Sequence, residues 1–259
     1  MRANEEESDT VLDRGLLTLV GHGDLRFWNP VSPETMDGLF AQLPIPKSGL
    51  LLDVGCGRGE LLLRLLERNN CRGLGYDPLV EAIAIARQEA KARLSPGRLE
   101  LLVQPFEASR LTPESVDIAA CVGATHAISN YRESLRVLRG LVRPGGVLLV
   151  GEGYWKQRPD PRYLSFLGCS EDDLFSHRGN IECAQDLGLE LLEEREASAR
   201  EWAFYEDTYA RNLRRFVRLH PGAPQAPFFA ARVRRWRKAY LTWGRDTLGF
   251  GLYLLRRAE

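Results

Sequence analysis

Between residues 49 and 152, short apolar runs alternate with stretches of helical periodicity, and this alternation most restricts the fold. Residues 49–54 (GLLLDV) are short and apolar throughout, the pattern of a buried strand. Residues 60–69 (ELLLRLLERN) have helical spacing, 71–76 (CRGLGY) return to a short strand, and the alanine-rich 79–94 read as a second helix. Further strands are expected at 99–103, 116–122 and 147–150, with a helix at 131–142 that stops at Arg143-Pro144-Gly145-Gly146. Strands alternating with helices join by right-handed crossovers, so the expected class is α/β, a doubly wound, mostly parallel sheet covered on both faces.

After Gly151 the pattern loosens. Pro159 and Pro161 bracket a loop, 169–187 read as one or two helices, and 189–195 as a sixth strand. Two amphipathic helices, 202–219 and 228–243, flank a linker HPGAPQAP (220–227), and 248–255 supply a seventh strand. The expected organisation is an N-terminal lid or helical segment (1–48), a core (49–200 with 244–259) and a helical cap inserted at 201–243.

With 44% hydrophobic and 27% charged residues among 259, the chain can bury one large core and is not a disordered polymer. No apolar run approaches a membrane span, and the acidic start MRANEEESDT lacks the apolar region of a secretory signal. The cysteines, at 56, 71, 121, 169 and 183, are scattered with no CxxC pair. Disulfide scaffolds, zinc sites and arsenic chemistry are therefore poor readings, no metal is expected, and a reducing cytoplasm is the expected location. Net charge is zero, yet residues 201–259 hold twelve bases against five acids, nine of those bases between Arg211 and Lys238. That asymmetry fits either a docking face for a polyanion or the solvated side of amphipathic helices.

The chemistry-bearing stretch is Leu52-Asp53-Val54-Gly55-Cys56-Gly57-Arg58-Gly59. A strand running into glycines lets backbone approach a ligand, and the following helix aims its free N–H groups there. The spacing is GxGxG, and Glu60 stands where a dinucleotide fingerprint would need its third glycine. Asp53 would repel a pyrophosphate but suits a ligand bearing an ammonium group. Asp77 ends the second strand one β-α-β unit later, where a carboxylate either accepts from both ribose hydroxyls or caps the next helix.

These residues resemble class I S-adenosylmethionine-dependent methyltransferases: LDVGCGRG (52–59) matches their first motif, GYDP (75–78) the acidic second, and LVRPGGVLLVGE (141–152) a later turn. More narrowly, RFWNP (26–30), VDIAACVGATHAI (116–128), VGEGYW (150–155) and FGLYLLRR (250–257) look like the YjhP-like bacterial group. The resemblance implies S-adenosylmethionine as cofactor and S-adenosylhomocysteine as product. It also implies that Gly55, Cys56, Gly57 and Gly59 bound the methionine part, with Asp53 near its ammonium. Asp77 would hold the ribose, Pro78 and Leu79 would lie against adenine, and Val122 would border the site. In Gln104-Pro105-Phe106-Glu107 the family's adenine pattern is blurred: Phe106 would pack on the ring and Glu107 would accept from its amine.

Methyl transfer needs an acceptor lone pair held in line with the methyl carbon, and a base only where that acceptor keeps a proton. In open parallel sheets such sites lie at the carboxyl ends of strands, here the loops after the fourth and fifth. His126 is the candidate acceptor contact or base, or else a histidine bonded to its own loop. Glu152 is the second candidate catalytic group, or a carboxylate satisfying backbone donors. Tyr154, Trp155, Trp202 and Tyr205 are candidate walls of a small-molecule pocket suited to an aromatic ring or an amine, or plain core; Trp28 belongs to a segment that could fold over the cofactor. The competing readings are RNA modification, motivated by the arginine-rich helices but without an amino-methylation motif after the fourth strand or an appended RNA module, and a non-catalytic cofactor sensor. The sequence carries no signal of oligomeric state.

Overall fold

The computed structural model describes residues 15–259; the acidic start at 1–14, with the acids read there, lies outside the described residues. The strands are β1 (Leu50–Val54), β2 (Arg72–Asp77), β3 (Leu99–Val103), β4 (Val116–Val122), β5 (Val142–Trp155), β6 (Leu189–Glu196) and β7 (Leu248–Arg257). They form one sheet in the order β3-β2-β1-β4-β5-β7-β6. Strands β1 to β5 pair in parallel, whereas β7 runs antiparallel to both neighbours, β5 and β6.

The apolar runs are continuous because both faces are covered. Leu51, Ile118, Leu149 and Leu254 point to one face, and Leu52, Ala119, Leu148 and Leu255 to the other, all at 2% exposure or less. Helices α2 (Pro33–Phe40) and α3 (Glu60–Arg68) cover the first face, and α5 (Tyr131–Leu141) and α7 (His177–Asp186) the second. Helix α4 (Val80–Arg93) packs Ile83 and Ala86 against Leu101.

Above the carboxyl ends of the strands, a helix over 15–22 (α1) joins α8 (Ala199–Leu219) and α9 (Ala226–Ala239) through Leu17, Leu213, Phe229 and Val233. Helix α8 begins with a capping box in which Ser198 and Glu201 satisfy each other's backbone N–H groups. The second oxygen of Glu201 accepts from Ser32 N at 2.9 Å and Thr35 Oγ1 at 2.7 Å, pinning α2 to α8.

The helix over 15–22 falls in the segment expected as a lid or helix, and 169–187, read as one or two helices, holds a 3₁₀ turn and α7. The structure departs from the periodicity in two places. Residues 161–167, where no helix was expected beyond the loop at Pro159 and Pro161, form helix α6 (Pro161–Leu167): Asp160 caps it by accepting from Arg162 N, and Pro161 sits in the first turn, where a missing N–H costs nothing. Strand β5 absorbs the Arg143–Gly146 turn as a bulge, since Val116 pairs with Val142 but Ile118 with Val147.

Strand order reverses between β1 and β4, so the loops leaving these neighbours part and open a crevice at their carboxyl ends. The glycine turn occupies it.

Candidate active site

Gly55 N–H and Cys56 N–H both donate to Tyr76 O, at 2.8 and 2.9 Å, which ties the turn after β1 to β2. Gly57 N–H donates to Asp77 Oδ2 at 2.9 Å, and Leu79 N–H to Asp77 Oδ1 at 2.8 Å. One carboxylate thus shapes the turn and the entry to α4 together. Gly55 and Gly57 hold φ of +71° and +53°; a Cβ on Gly55 would strike Ala124, and one on Gly57 would press the Trp28 ring at 3.3 Å.

A cavity of about 680 Å³ opens over this turn. Asp53, Gly55, Cys56, Gly57, Asp77, Pro78, Leu79, Phe106 and Val122 all line it. Asp53 is 3% exposed, and its pKa is raised to about 8, first by burial and then by Asp77. No donor of the described residues is directed at its carboxylate, so the acid is suited to an ammonium arriving from the cavity. Burial also raises Asp77, against the two backbone donors that favour its charged form. Phe106 meets Tyr76 edge to face at 5.2 Å. These residues fit S-adenosylmethionine: a carboxylate for its ammonium, one for the ribose, and apolar walls for adenine.

Two residues expected here lie elsewhere. Gly59 caps α3 with its α-carbon turned to Ala86, so it serves helix packing and not the cavity wall. Glu107 turns outward to Arg110, at 2.8 Å, and is absent from the lining.

Arg26, Phe27, Trp28 and Asn29, from the segment expected as a lid, line the cavity together with His22 and Tyr205. The rings of Trp28 and His22 stack at 5.2 Å, and Arg58 holds Gly23 O and Leu25 O at 3.3 Å.

A second chamber of about 290 Å³ adjoins the first, and Trp28, Asn29, Gly123 and Tyr205 are walls of both. Glu152 lines this chamber; its carboxylate accepts from Thr125 Oγ1 and from its own neighbour's amide, Gly153 N, at 2.8 Å. Burial raises its pKa, while Thr125, Gly153 and His126 oppose the rise. Trp202 is a wall as well. His126 is exposed in the 3₁₀ turn after β4 and lines the larger cavity, not this chamber.

Tyr154 and Trp155 are not walls of either space. Side chains alternate along β5, so Tyr154 points to the α7 face, where it donates to Glu196 and packs on His177 at 5.2 Å. Trp155 is core under α6 against Tyr163 and Ala239, its Nε1 donating to Glu171 O at 2.9 Å. The chamber's remaining walls include Glu206, Tyr163, Trp236, Tyr240 and Phe250. Glu206 was not among the expected residues; it stands four residues after Trp202 on α8, so helical spacing was the available signal.

Comparison with known proteins meets this geometry. A methyltransferase-domain profile matches residues 51–146. A methyltransferase from Geobacter sulfurreducens, solved with S-adenosylhomocysteine, superposes with a TM-score of 0.85 at 25% identity, over 92% of this chain and 96% of that one. The chain carries a methyltransferase domain on the fold of S-adenosylmethionine-dependent methyltransferases. This methyltransferase is also similar to Escherichia coli YjhP, 27% identical over 91% of this chain and 96% of that protein. The YjhP crystal structure superposes with a TM-score of 0.85, covering 94% of this chain and 99% of that one. A Thiobacillus denitrificans methyltransferase in complex with S-adenosylhomocysteine follows at 0.83 and 26% identity, over 92% and 96% of the two chains.

Proposed function

We propose that this methyltransferase acts on a small-molecule acceptor, aromatic or amine, held in the smaller chamber. The observation that carries the reading is the shared wall: Trp28, Asn29, Gly123 and Tyr205 border both spaces, so a ligand in the chamber lies directly against one over the glycine turn. When bound, the cofactor supplies a methyl carbon already activated by a positive sulfonium. The protein's part is to position the acceptor behind that carbon for in-line displacement, an effect worth several kcal/mol, about 7–11 in the best-oriented cases.

Asp53 receives the cofactor's ammonium, Asp77 its ribose hydroxyls, and Pro78, Leu79 and Phe106 its adenine. Glu152 orients the acceptor and takes its proton where there is one to lose. Residues 15–48 act as a lid over the core, 49–200 with 244–259, and 201–243 as a cap. The exposed arginines of the cap, among them Arg214, Arg215, Arg218, Arg234 and Arg235, line neither space. The reading therefore places RNA away from the reacting atoms. Among the described residues no helix is long and apolar enough to cross a membrane, and the five cysteines are unpaired, in keeping with a cytoplasmic enzyme.

Calorimetric titration with S-adenosylmethionine and S-adenosylhomocysteine, followed by an acceptor screen that detects S-adenosylhomocysteine, tests the reading. Turnover of small molecules with Glu152→Gln slowed and cofactor affinity kept is expected. Normal turnover by that variant removes Glu152 from the chemistry, and activity confined to RNA overturns the small-molecule assignment.

A further inference from the structure

The smaller chamber has a charge pattern that the methyl-transfer reading does not require. Two carboxylates line it, Glu152 from the end of β5 and Glu206 from the middle of α8, and among the described residues no lysine, arginine or histidine does. Half of the other walls are aromatic rings, among them Trp28, Tyr163, Trp202, Tyr205, Trp236 and Tyr240. Ring faces carry the negative lobe of the aromatic quadrupole, so these walls and carboxylates favour a cation and disfavour an anion.

Glu206 is 5% exposed. Its two carboxylate oxygens accept from Trp236 Nε1, at 3.2 and 3.0 Å, with Trp202 as a further neutral donor, and no cation pairs with it in the chamber. The nearest cations, Arg232 and Arg237, lie behind it between α8 and α9 and not in the chamber. Arg237 is paired with Asp207, and Arg232 lies 4.2 Å over the Trp236 ring. Burial lifts the Glu206 pKa to about 7 despite Trp236, Arg237, Trp202 and Arg232. A buried acid this poorly matched gains most from a cationic ligand.

We propose that the methyl acceptor is a small amine, captured as its ammonium by Glu206 and the surrounding rings and methylated on nitrogen. The inference rests on the small-molecule reading of this chamber. The ammonium gives one proton to the Glu152 carboxylate. The nitrogen lone pair then forms the N–C bond as the C–S bond breaks; the C–S electron pair stays on sulfur, and the sulfonium becomes a neutral thioether. The chamber's volume, at the small end of ligand pockets (roughly 300–1,000 Å³), limits the acceptor to a compact molecule.

The test uses three probes of one shape: 2-phenylethylamine, 2-phenylethanol and phenylacetate, titrated into the full chain saturated with S-adenosylhomocysteine. The amine is expected to bind at least about tenfold tighter than the other two. Glu206→Gln, which still accepts from Trp236, is expected to erase that preference without changing S-adenosylhomocysteine affinity, and with S-adenosylmethionine only the amine is expected to release S-adenosylhomocysteine. Equal or tighter binding of the alcohol or the anion overturns the inference, as does binding of none of the three, or a preference that survives Glu206→Gln. Should Glu206→Gln not fold, the wild-type ranking alone decides. Turnover of a phenol or a carboxylate would sink the amine assignment and leave the small-molecule reading standing, whereas methylation of RNA alone would sink both.

Discussion

His22 Nε2 and the Tyr205 hydroxyl meet at 2.8 Å across 183 residues of sequence, joining α1 to α8 along the wall of the larger cavity. The opposite ring nitrogen, Nδ1, is bonded to Thr18 O at 2.8 Å, so both sides of the imidazole are engaged. Tyr205→Phe removes one partner and leaves a mostly buried nitrogen unsatisfied, a loss of about 1–3 kcal/mol. Amide hydrogen exchange over 15–31 should quicken in that variant, while exchange in β1 and β4 stays as it was. Uniform quickening through the sheet would mean that the contact is not a local latch.

Burial lowers the His22 pKa to about 4, with the Thr18 bond opposing. The unfolded chain, with an ordinary value near 6.5, takes up a proton that the folded chain refuses between those two values. His22 therefore costs stability as pH falls from 6.5 toward 4, up to about 2 kcal/mol by pH 5. Asp53 and Glu206, held up at about 8 and about 7, work in the opposite direction over an overlapping range. The comparison is thus between wild type and His22→Gln, by denaturant unfolding at pH 7 and pH 5: wild type should lose more. Equal losses would show that His22 titrates normally.

Asp53 carries a proton at pH 7 if its pKa stands at about 8. An ammonium placed beside it favours the charged form, so cofactor binding should expel about one proton at that pH. Titrations with S-adenosylhomocysteine in phosphate and in Tris, whose ionisation enthalpies differ, count that proton. Asp53→Asn should bind more weakly and release none; proton release that survives the substitution assigns it to another group.

Asp77 joins two backbone amides and faces the same cavity. Asp77→Ala is expected to weaken S-adenosylhomocysteine binding more than about tenfold, or 1.4 kcal/mol. A folded variant with unchanged affinity would reduce Asp77 to a turn and helix-entry group.

Gly57→Ala and Gly97→Ala separate strain from site. Both glycines have positive φ, +53° and +79°, but a Cβ on Gly57 meets Trp28 whereas one on Gly97 meets nothing within 4 Å. Each should lose about 1–2 kcal/mol of stability from the backbone conformation. Only Gly57→Ala should also lose cofactor affinity, measured by calorimetry, because Trp28 must move.

The strand-turn-helix from Leu50 to Arg68 and the acid at Asp77 were legible because local chemistry there is tied to backbone geometry: apolar period, glycine freedom, and an acid at a strand end. Tyr154 was misplaced because side-chain parity along β5 sends its ring to the α7 face, and Trp155 because α6 and α9 cover its ring as core. Helix α6 escaped notice because its prolines read as loop punctuation, although Pro161 stands where a helix tolerates one. Glu206 was hidden by a tertiary fact: α9 lays Trp236 over it and turns an acid of ordinary surface appearance into a chamber wall.

Strand β7 lies between β5 and β6, and β6 hydrogen-bonds to no other strand among the described residues. During synthesis, β6 emerges about fifty residues before its only ladder partner, with all of α8 and α9 made in between. The amino-terminal half of the sheet can zip up strand by strand as it leaves the ribosome. The far edge cannot: it must wait, unpaired, for a strand that enters between two already made, so the last step of assembly is an insertion and the nascent β6 edge is where a chaperone would be needed.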